Sequence, residues 1–155
     1  MVILKTPSEI KSMSEACKLS NAALWAAELY MKAGVSTKEI DHVIHKFIVQ
    51  AGAKPSFLGY GGFPASACIS LNDRVIHGIP SSREILKEGD VVSVDVGAYY
   101  NGFHGDNAYT FRVGEVSPEA DQLLRVTEES LTKGIAQAKA GNRIGDISNA
   151  IQTYT

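Results

Sequence analysis

The stretch from Val91 to Val113 constrains the fold more than any other part of the chain. It reads VVSVDVGAYYNGFHGDNAYTFRV, two runs of strand-forming residues on either side of Asn101-Gly102. Asn-Gly strongly favours a two-residue hairpin turn, because both turn positions need a positive φ angle. The sequence therefore predicts an antiparallel hairpin centred on this dipeptide.

The predicted hairpin places two aspartates on one face. With Asn-Gly at the centre of the turn, Asp95 lies opposite Ala108, one pleat step from Asp106. Side chains alternate between faces with period two, so the two carboxylates share a face. The other face suits a packed core and carries Val92, Val94, Val96, Asn107, Tyr109 and Phe111.

Two interpretations of this aspartate pair are open. Diagonal neighbours across a hairpin lie about 7–8 Å apart, and carboxylates reaching over that gap could hold two divalent ions about 3.5–4 Å apart. Like charges on a half-buried face also need a cation or a proton. The alternative is that the pair merely solubilises the surface, although aspartate is uncommon in strands. By parity His104 is a third candidate ligand, provided that the ladder has no bulge.

Composition and charge limit the classes of protein to consider. The chain has 155 residues, 45% of them hydrophobic and 21% charged, which is typical of one globular domain. A net charge of −2 shows no basic excess, so we expect neither nucleic acid nor an anionic membrane as a partner. Cys17 and Cys68 show no metal-binding spacing, and neither a signal peptide nor an 18-residue apolar run is present. We therefore expect a soluble cytoplasmic protein.

Helical patterns flank the hairpin on both sides. Capping signals and apolar spacing predict two helices before the β region and two after it, with a short buried strand between the second helix and the hairpin. The predicted helices run from Thr6 to Gly34, from Ser36 to near Gly52, from Ser117 to Gly141 and from Asn142 to Thr155, and the strand is Ala65–Leu71.

Two segments outside the hairpin carry further candidate residues. The glycine-rich stretch 53–64 contains Tyr60 and Phe63, whose rings either wall a pocket or pack over the core. His77 follows an apolar pair and precedes a glycine. A lone histidine in that setting is more often structural than catalytic.

Five segments, taken in order, resemble the type I methionine aminopeptidases of bacteria. They are KTPSEIKSM, GVSTKEID, ACISLNDRVIHGIP, LKEGDVVSVDVGAYYNGFHGDNAYTF and GNRIGDISNAIQ. The resemblance runs through all 155 residues and implies the α+β pita-bread fold, in which two halves related by an approximate twofold axis hold two divalent ions. This chain resembles mainly the first half, with two helices, an antiparallel β hairpin region and two helices. We expect residues 1–155 to form one incomplete catalytic domain.

The resemblance also implies roles for individual residues. Asp95 and Asp106 match two metal ligands, of which the first chelates one ion and the second bridges both. His77 matches the histidine that contacts the substrate backbone and stabilises the tetrahedral intermediate. The positions near the pocket for the methionine side chain are matched by Tyr60, Phe63 and Cys68. The family's histidine at the position of His104 is not a ligand.

The activity implied is removal of the initiator methionine from nascent proteins whose second residue is small. The resemblance also implies two divalent ions (Co, Mn, Fe, Zn or Ni) and a cytoplasmic monomer that meets nascent chains at the ribosome. The family's other three ligands, a histidine in an HGIG motif and two glutamates, have no counterpart in this sequence. We therefore expect the chain alone to be inactive and to self-associate. The alternative is a non-catalytic half that binds a partner or a complementary fragment.

Overall fold

The computed structural model describes residues 3–155, which form two compact units. The first unit extends to Glu115 and the second runs from Val116 to Thr155. Helices α1 and α2 and a four-stranded sheet make up the first unit, and α3 and α4 the second. Two helices, a β region and two helices is the predicted order, although the sequence analysis did not predict the short first strand of the sheet. The expectation of a single domain over residues 1–155 stays a prediction.

Both helices of the first unit begin at capping boxes. Helix α1 (Pro7–Ala26) starts after Thr6, whose side chain accepts from the Glu9 amide while the Glu9 carboxylate accepts from the Thr6 amide. Helix α2 (Thr37–Gln50) starts in the same way after its N-cap Ser36. Each box satisfies backbone N–H groups that the first helical turn would leave unpaired.

The prediction that the first helix continues to Gly34 is wrong. Helix α1 ends at Ala26 and is followed by a tighter 3-10 turn over Glu28–Tyr30, in which the Tyr30 amide donates to the Ala27 carbonyl. Leu29 is 82% exposed, whereas Met31 belongs to the core. The chain thus leaves α-helical geometry after Ala26, and Met31 then lies in the core.

The sheet is antiparallel throughout and is built around one strand. Its strands are β1 (Lys54–Pro55), β2 (Ala67–Leu71), β3 (Val91–Tyr100) and β4 (Phe103–Arg112). Strand β3 pairs with β4 along one edge and with β1 and β2 along the other. The sheet therefore presents the middle of β3 between two neighbours.

The β3–β4 hairpin has the predicted register. Asn101 and Gly102 have φ angles of 48° and 85°, as a two-residue turn of this kind requires. Every residue of β3 has a partner on β4, and Asp95 pairs with Ala108 as predicted. Because the ladder is regular, the parity argument for the two faces holds.

The core lies on the predicted face of the hairpin. Val92, Val94 and Val96 are fully buried and pack in one cluster with residues of both helices. Fully burying one such side chain contributes about 1.5–3 kcal/mol. The helical members of the cluster include Leu24, Ile40, Ile44 and Ile48.

The second unit is a pair of helices in contact. Helix α3 (Pro118–Ile135) ends before the predicted Gly141, and α4 (Ile144–Tyr154) begins after Arg143. A side chain at Gly134 would lie 2.8 Å from the Ile151 Cδ1 atom, so the glycine permits close packing of α4 on α3. Among the helices of residues 3–155, none is both long and apolar enough to cross a membrane.

Candidate metal and substrate site

Three strands place chemically active side chains on the sheet face that lies opposite the core. Asp95 of β3 pairs with Cys68 of β2 on one side and with Ala108 of β4 on the other. Asp106 pairs with Gly97, which is the next residue of β3 after Asp95 on the same face. The prediction that Asp95 and Asp106 share a face is therefore confirmed, and Cys68 joins them.

Asp95 carries an unusual carboxyl group. Its Oδ1 atom is buried and has no hydrogen-bond partner within residues 3–155. Burial, a hydrogen bond with Asp106 and the charge of Asp106 together raise the pKa of Asp95 to about 6, while the charge of His77 opposes them. A buried carboxylate oxygen without a partner is rare and calls for a proton or a cation.

Cys68 is a neutral thiol beside the carboxyl pair. Burial, followed by the charges of Asp95 and Asp106, raises the pKa of Cys68 to about 11. Nucleophilic and metal-binding cysteines need the thiolate, which this environment disfavours. Cys68 is therefore suited to line a wall of the site.

His77 lies on the loop that follows β2, and its backbone is held next to that strand. The residue has a φ angle of 58°, and the following Gly78 has both backbone groups hydrogen bonded to β2 or its side chains. The charge of His77 lowers the pKa of Asp95, so the imidazole acts on the carboxyl pair. The fold thus brings His77 and both aspartates into one electrostatic environment.

The glycine-rich loop holds Tyr60 and Phe63 in a tight turn. The Gly59 amide donates to the Phe63 carbonyl at 2.8 Å, across a 3-10 turn over Tyr60–Gly62. Tyr60 is 82% exposed, so its ring does not pack over the core. Phe63 is half-buried, which fits both a pocket wall and a structural contact.

Phe57 lies on the aspartate face, although its sequence context did not mark it as a candidate. A Cβ atom at Gly97 would lie 2.6 Å from the Phe57 ring, so the ring occupies the space that the glycine leaves. Gly97 is the register partner of Asp106. The signal in the sequence was Gly97 itself, because a glycine among small residues on the aspartate face leaves room for a ring.

Two other histidines, His104 of the sheet and His45 of α2, already have partners. His104 Nδ1 is 2.9 Å from Ser56 Oγ, and its ring lies 4.7 Å from that of Tyr99. On α2, His45 Nδ1 is 2.8 Å from Ser66 Oγ. Within residues 3–155, no group of three or more His, Cys, Asp or Glu side chains is arranged to hold a metal ion. The candidate ligand set in this part of the chain is therefore the two aspartates.

Comparison with known proteins places this geometry in a family. Residues 11–155 match the model of metallopeptidase family M24. The chain belongs to that family. Divalent metal ions are the general requirement of such metallopeptidases, in agreement with the carboxylate pair on the M24 chain.

Similar proteins agree on the fold and on the type of relative. The M24 chain is 51% identical over 156 residues to methionine aminopeptidase 1 of Bacillus subtilis, covering 99% of the chain and 62% of that protein. The crystal structure of methionine aminopeptidase from Rickettsia prowazekii matches with a TM-score of 0.96 at 36% identity, again over 99% of the chain and 62% of its own. An Xaa-Pro dipeptidase from Bacillus anthracis matches with a TM-score of 0.85 at 28% identity, over 97% of the chain and 41% of its own.

These matches confirm two expectations from the sequence. The resemblance to bacterial methionine aminopeptidases is confirmed, as is a partial pita-bread fold. The M24 chain spans about 62% of the length of the methionine aminopeptidases from Bacillus subtilis and Rickettsia prowazekii.

Proposed function

We propose that the M24 chain forms part of a metal-dependent aminopeptidase that removes the initiator methionine from nascent proteins with a small second residue. The observation that carries this proposal is the pair Asp95 and Asp106 on adjacent steps of one ladder face, with a buried Asp95 oxygen that has no hydrogen-bond partner among the residues that the structure describes. The methionine aminopeptidases among its relatives supply the substrate class.

The residues present fit part of a divalent metal site. Carboxylate oxygens are suitable ligands for such ions, and the unpaired Asp95 Oδ1 is a donor that a cation would satisfy. Asp95 would chelate one ion and Asp106 would bridge two. When bound, the ions would supply Lewis acidity and lower the pKa of a coordinated water. Carboxylates accept Co, Mn, Fe, Zn or Ni.

The other residues of the face would bind and orient the peptide. In this proposal His77 donates a hydrogen bond to the substrate carbonyl oxygen, where negative charge develops as the peptide bond is attacked. Cys68, Tyr60 and Phe63, together with Phe57, line the pocket for the methionine side chain. A thioether is soft and polarizable, and it packs well against aromatic rings.

The 155 residues alone would not catalyse the reaction. Two carboxylates are too few protein ligands to fix two ions, and two-metal hydrolysis depends on precise placement of both. The remaining ligands would come from a segment equivalent to the part of the relatives that the chain does not cover. The complete enzyme would act as a cytoplasmic monomer on nascent chains at the ribosome.

The test is methionine release from a Met-Ala-Ser peptide in the presence of Mn(II) or Co(II). One sample is the M24 chain alone, and the other is the chain fused to the unmatched segment of the Bacillus subtilis relative. We expect turnover only from the fusion, and its loss in the isosteric Asp106→Asn variant. An inactive but folded fusion would refute the proposed function, and turnover by the unfused chain would refute its inactivity.

The alternative function is a non-catalytic half that binds a complementary fragment. It is favoured by large apolar side chains on the second unit that are more than half exposed. These are Leu123, Leu131, Ile135 and Ile144. Mixing the chain with the separately expressed complementary segment discriminates between the two functions, because tight association without methionine release supports the alternative.

A further inference from the structure

The position of His77 depends on the loop that carries it rather than on packing of its own side chain. His77 is exposed, and its φ angle of 58° lies in the left-handed region that few residues other than glycine adopt. A residue with little packing and a rarely adopted backbone conformation keeps its place only if the surrounding structure fixes it. The hydrogen bonds around His77 identify two places where the loop is attached.

The first attachment is at Gly78, directly after His77. The Gly78 amide donates to the Ser70 hydroxyl at 3.0 Å, and the Gly78 carbonyl accepts from the Ile69 amide at 2.9 Å. Ser70 is 3% exposed. A Cβ atom at Gly78 would lie 1.9 Å from the Ile69 carbonyl oxygen, so only glycine permits this contact.

The second attachment is at Ser81 and depends on a single hydroxyl of α2. The Ser81 amide donates to Thr37 Oγ1 at 2.8 Å, and the Thr37 hydroxyl has two acceptors for its proton, the Ser81 carbonyl at 3.1 Å and Glu84 Oε2 at 3.3 Å. Thr37 is fully buried. Helix α2 contributes none of the residues proposed to bind metal or substrate, so Thr37 affects the site only by holding the loop.

We propose that Thr37 and Ser70 are positioning residues, which hold the loop backbone so that His77 faces the aspartate pair. The importance of this orientation rests on the proposed function, in which His77 contacts the substrate. Without the Thr37 hydroxyl, the Ser81 amide loses its acceptor, and the Ser81 carbonyl keeps only the Glu84 amide. Without the Ser70 hydroxyl, the Gly78 amide loses its acceptor. In either case the strained backbone at His77 relaxes.

The experiment measures backbone order and amide exchange in the unfused chain by NMR. Thr37→Val removes the hydroxyl at nearly constant volume, and Thr37→Ser retains it. We expect the His77 amide order parameter to fall from about 0.85, typical of rigid backbone, to below about 0.6 in the valine variant. Exchange of the Ser81 amide should accelerate by about tenfold, the factor that corresponds to the loss of one hydrogen bond. The serine variant should keep both values near those of the wild type.

A second matched pair tests Ser70. Ser70→Ala should loosen Gly78 and His77, whereas Ser93→Ala should not. Ser93 is the register partner of Ser70, but its hydroxyl bonds Thr110 at 2.8 Å instead of the loop.

Three results would overturn the proposal. They are a His77 amide that stays rigid in Thr37→Val and Ser70→Ala, one that is already mobile in the wild type, and equal loosening in the variants and their controls. Neither metal nor substrate is needed for these measurements, so failure of the aminopeptidase proposal leaves them interpretable.

Discussion

The thiol of Cys68 and the carboxyl of Asp95 belong to register partners on neighbouring strands, and the negative charge of Asp95 helps to keep the thiol protonated. Burial is the larger cause of the raised pKa of Cys68, and Asp95 and Asp106 add to it. The pKa of the thiol therefore depends on the charge of the carboxyl pair, although Cys68 is not one of the candidate metal ligands.

Neutralising Asp95 should make Cys68 more reactive. In a Cys17→Ser background, Asp95→Asn removes one of the charges that raise the pKa of Cys68, so the pKa should fall below its value of about 11. Alkylation by iodoacetamide at pH 9 should become several times faster, because only the thiolate reacts. The matched control is Asp73→Asn, at an exposed aspartate outside the strands. Equal rates in all three proteins would contradict the electrostatic link.

The stability of the chain should depend on pH through Asp95. Its pKa is raised to about 6 in the folded protein, from an ordinary value of 3.8, so the folded state binds the proton more tightly than the unfolded state. This stabilisation is fully present below about pH 4 and is lost as the pH rises through 6. Urea denaturation in metal-free buffer should therefore show Asp95→Asn gaining stability relative to the wild type between pH 4 and 7. A constant difference over that range would disprove the raised pKa.

Metal binding to this chain should be weak and sensitive to protons. Asp95 and Asp106 offer two carboxylates, so we expect one Mn(II) ion with a dissociation constant on the order of 1 mM, as for weak carboxylate sites. Protonation of Asp95 below about pH 6 should abolish binding. Calorimetry on the wild type and Asp106→Asn measures both effects. Tight binding of two ions, or binding that Asp106→Asn leaves unchanged, would contradict the assignment.

Asp41 should be a main anchor of β2 to α2. Its Oδ1 atom accepts from the Ser66 and Ala67 amides at 2.8 and 3.2 Å, and its Oδ2 atom lies 2.9 Å from Lys38 Nζ. Asp41→Ala leaves these buried amides without an acceptor and should lower the free energy of unfolding by about 3–5 kcal/mol.

The matched control for Asp41→Ala is Lys38→Met. Half of the Lys38 side chain is exposed, so this substitution should cost less than about 1 kcal/mol. Urea denaturation of both variants is the measurement. Similar losses of stability in the two would show that the ion pair, rather than the amide contacts, matters.

Self-association should follow from the apolar surface of the second unit. Leu131 and Ile135 lie one turn apart on α3 and are 58% and 64% exposed. Exposed apolar patches of several hundred Å² favour association, so light scattering after size exclusion should show concentration-dependent dimers. Replacing both residues with glutamine should shift the chain towards monomer and reduce binding of a hydrophobic dye. A wild type that is monomeric at every concentration would disprove the prediction.

Short-range rules determined the hairpin and the helix starts well. Asn101-Gly102 specified the turn, and once the turn was placed, the two-residue period put Asp95 and Asp106 on one face. The capping boxes of α1 and α2 are equally local, because a hydroxyl and a glutamate three residues later suffice. These features were predictable because they depend on neighbours in the sequence.

Long-range contacts account for what the sequence did not predict. The first helix ends at Ala26, eight residues before Gly34, and Met31 beyond it packs in the core, a contact that apolar spacing cannot reveal. The Phe57 ring lies over Gly97 only because β1 brings the two segments together. The roles proposed for His77, Tyr60, Phe63 and Cys68 came from the family resemblance, and they stay predictions.

The regular ladder between Asp95 and Asp106 also limits how the gene can change. A substitution at most positions of these two strands alters one side chain, but a single codon inserted or deleted within a strand between the two aspartates turns every side chain beyond it to the other face. One aspartate would then point into the valine core. The number of codons between the two aspartates should therefore stay the same in related genes, even where most of the surrounding residues have been replaced.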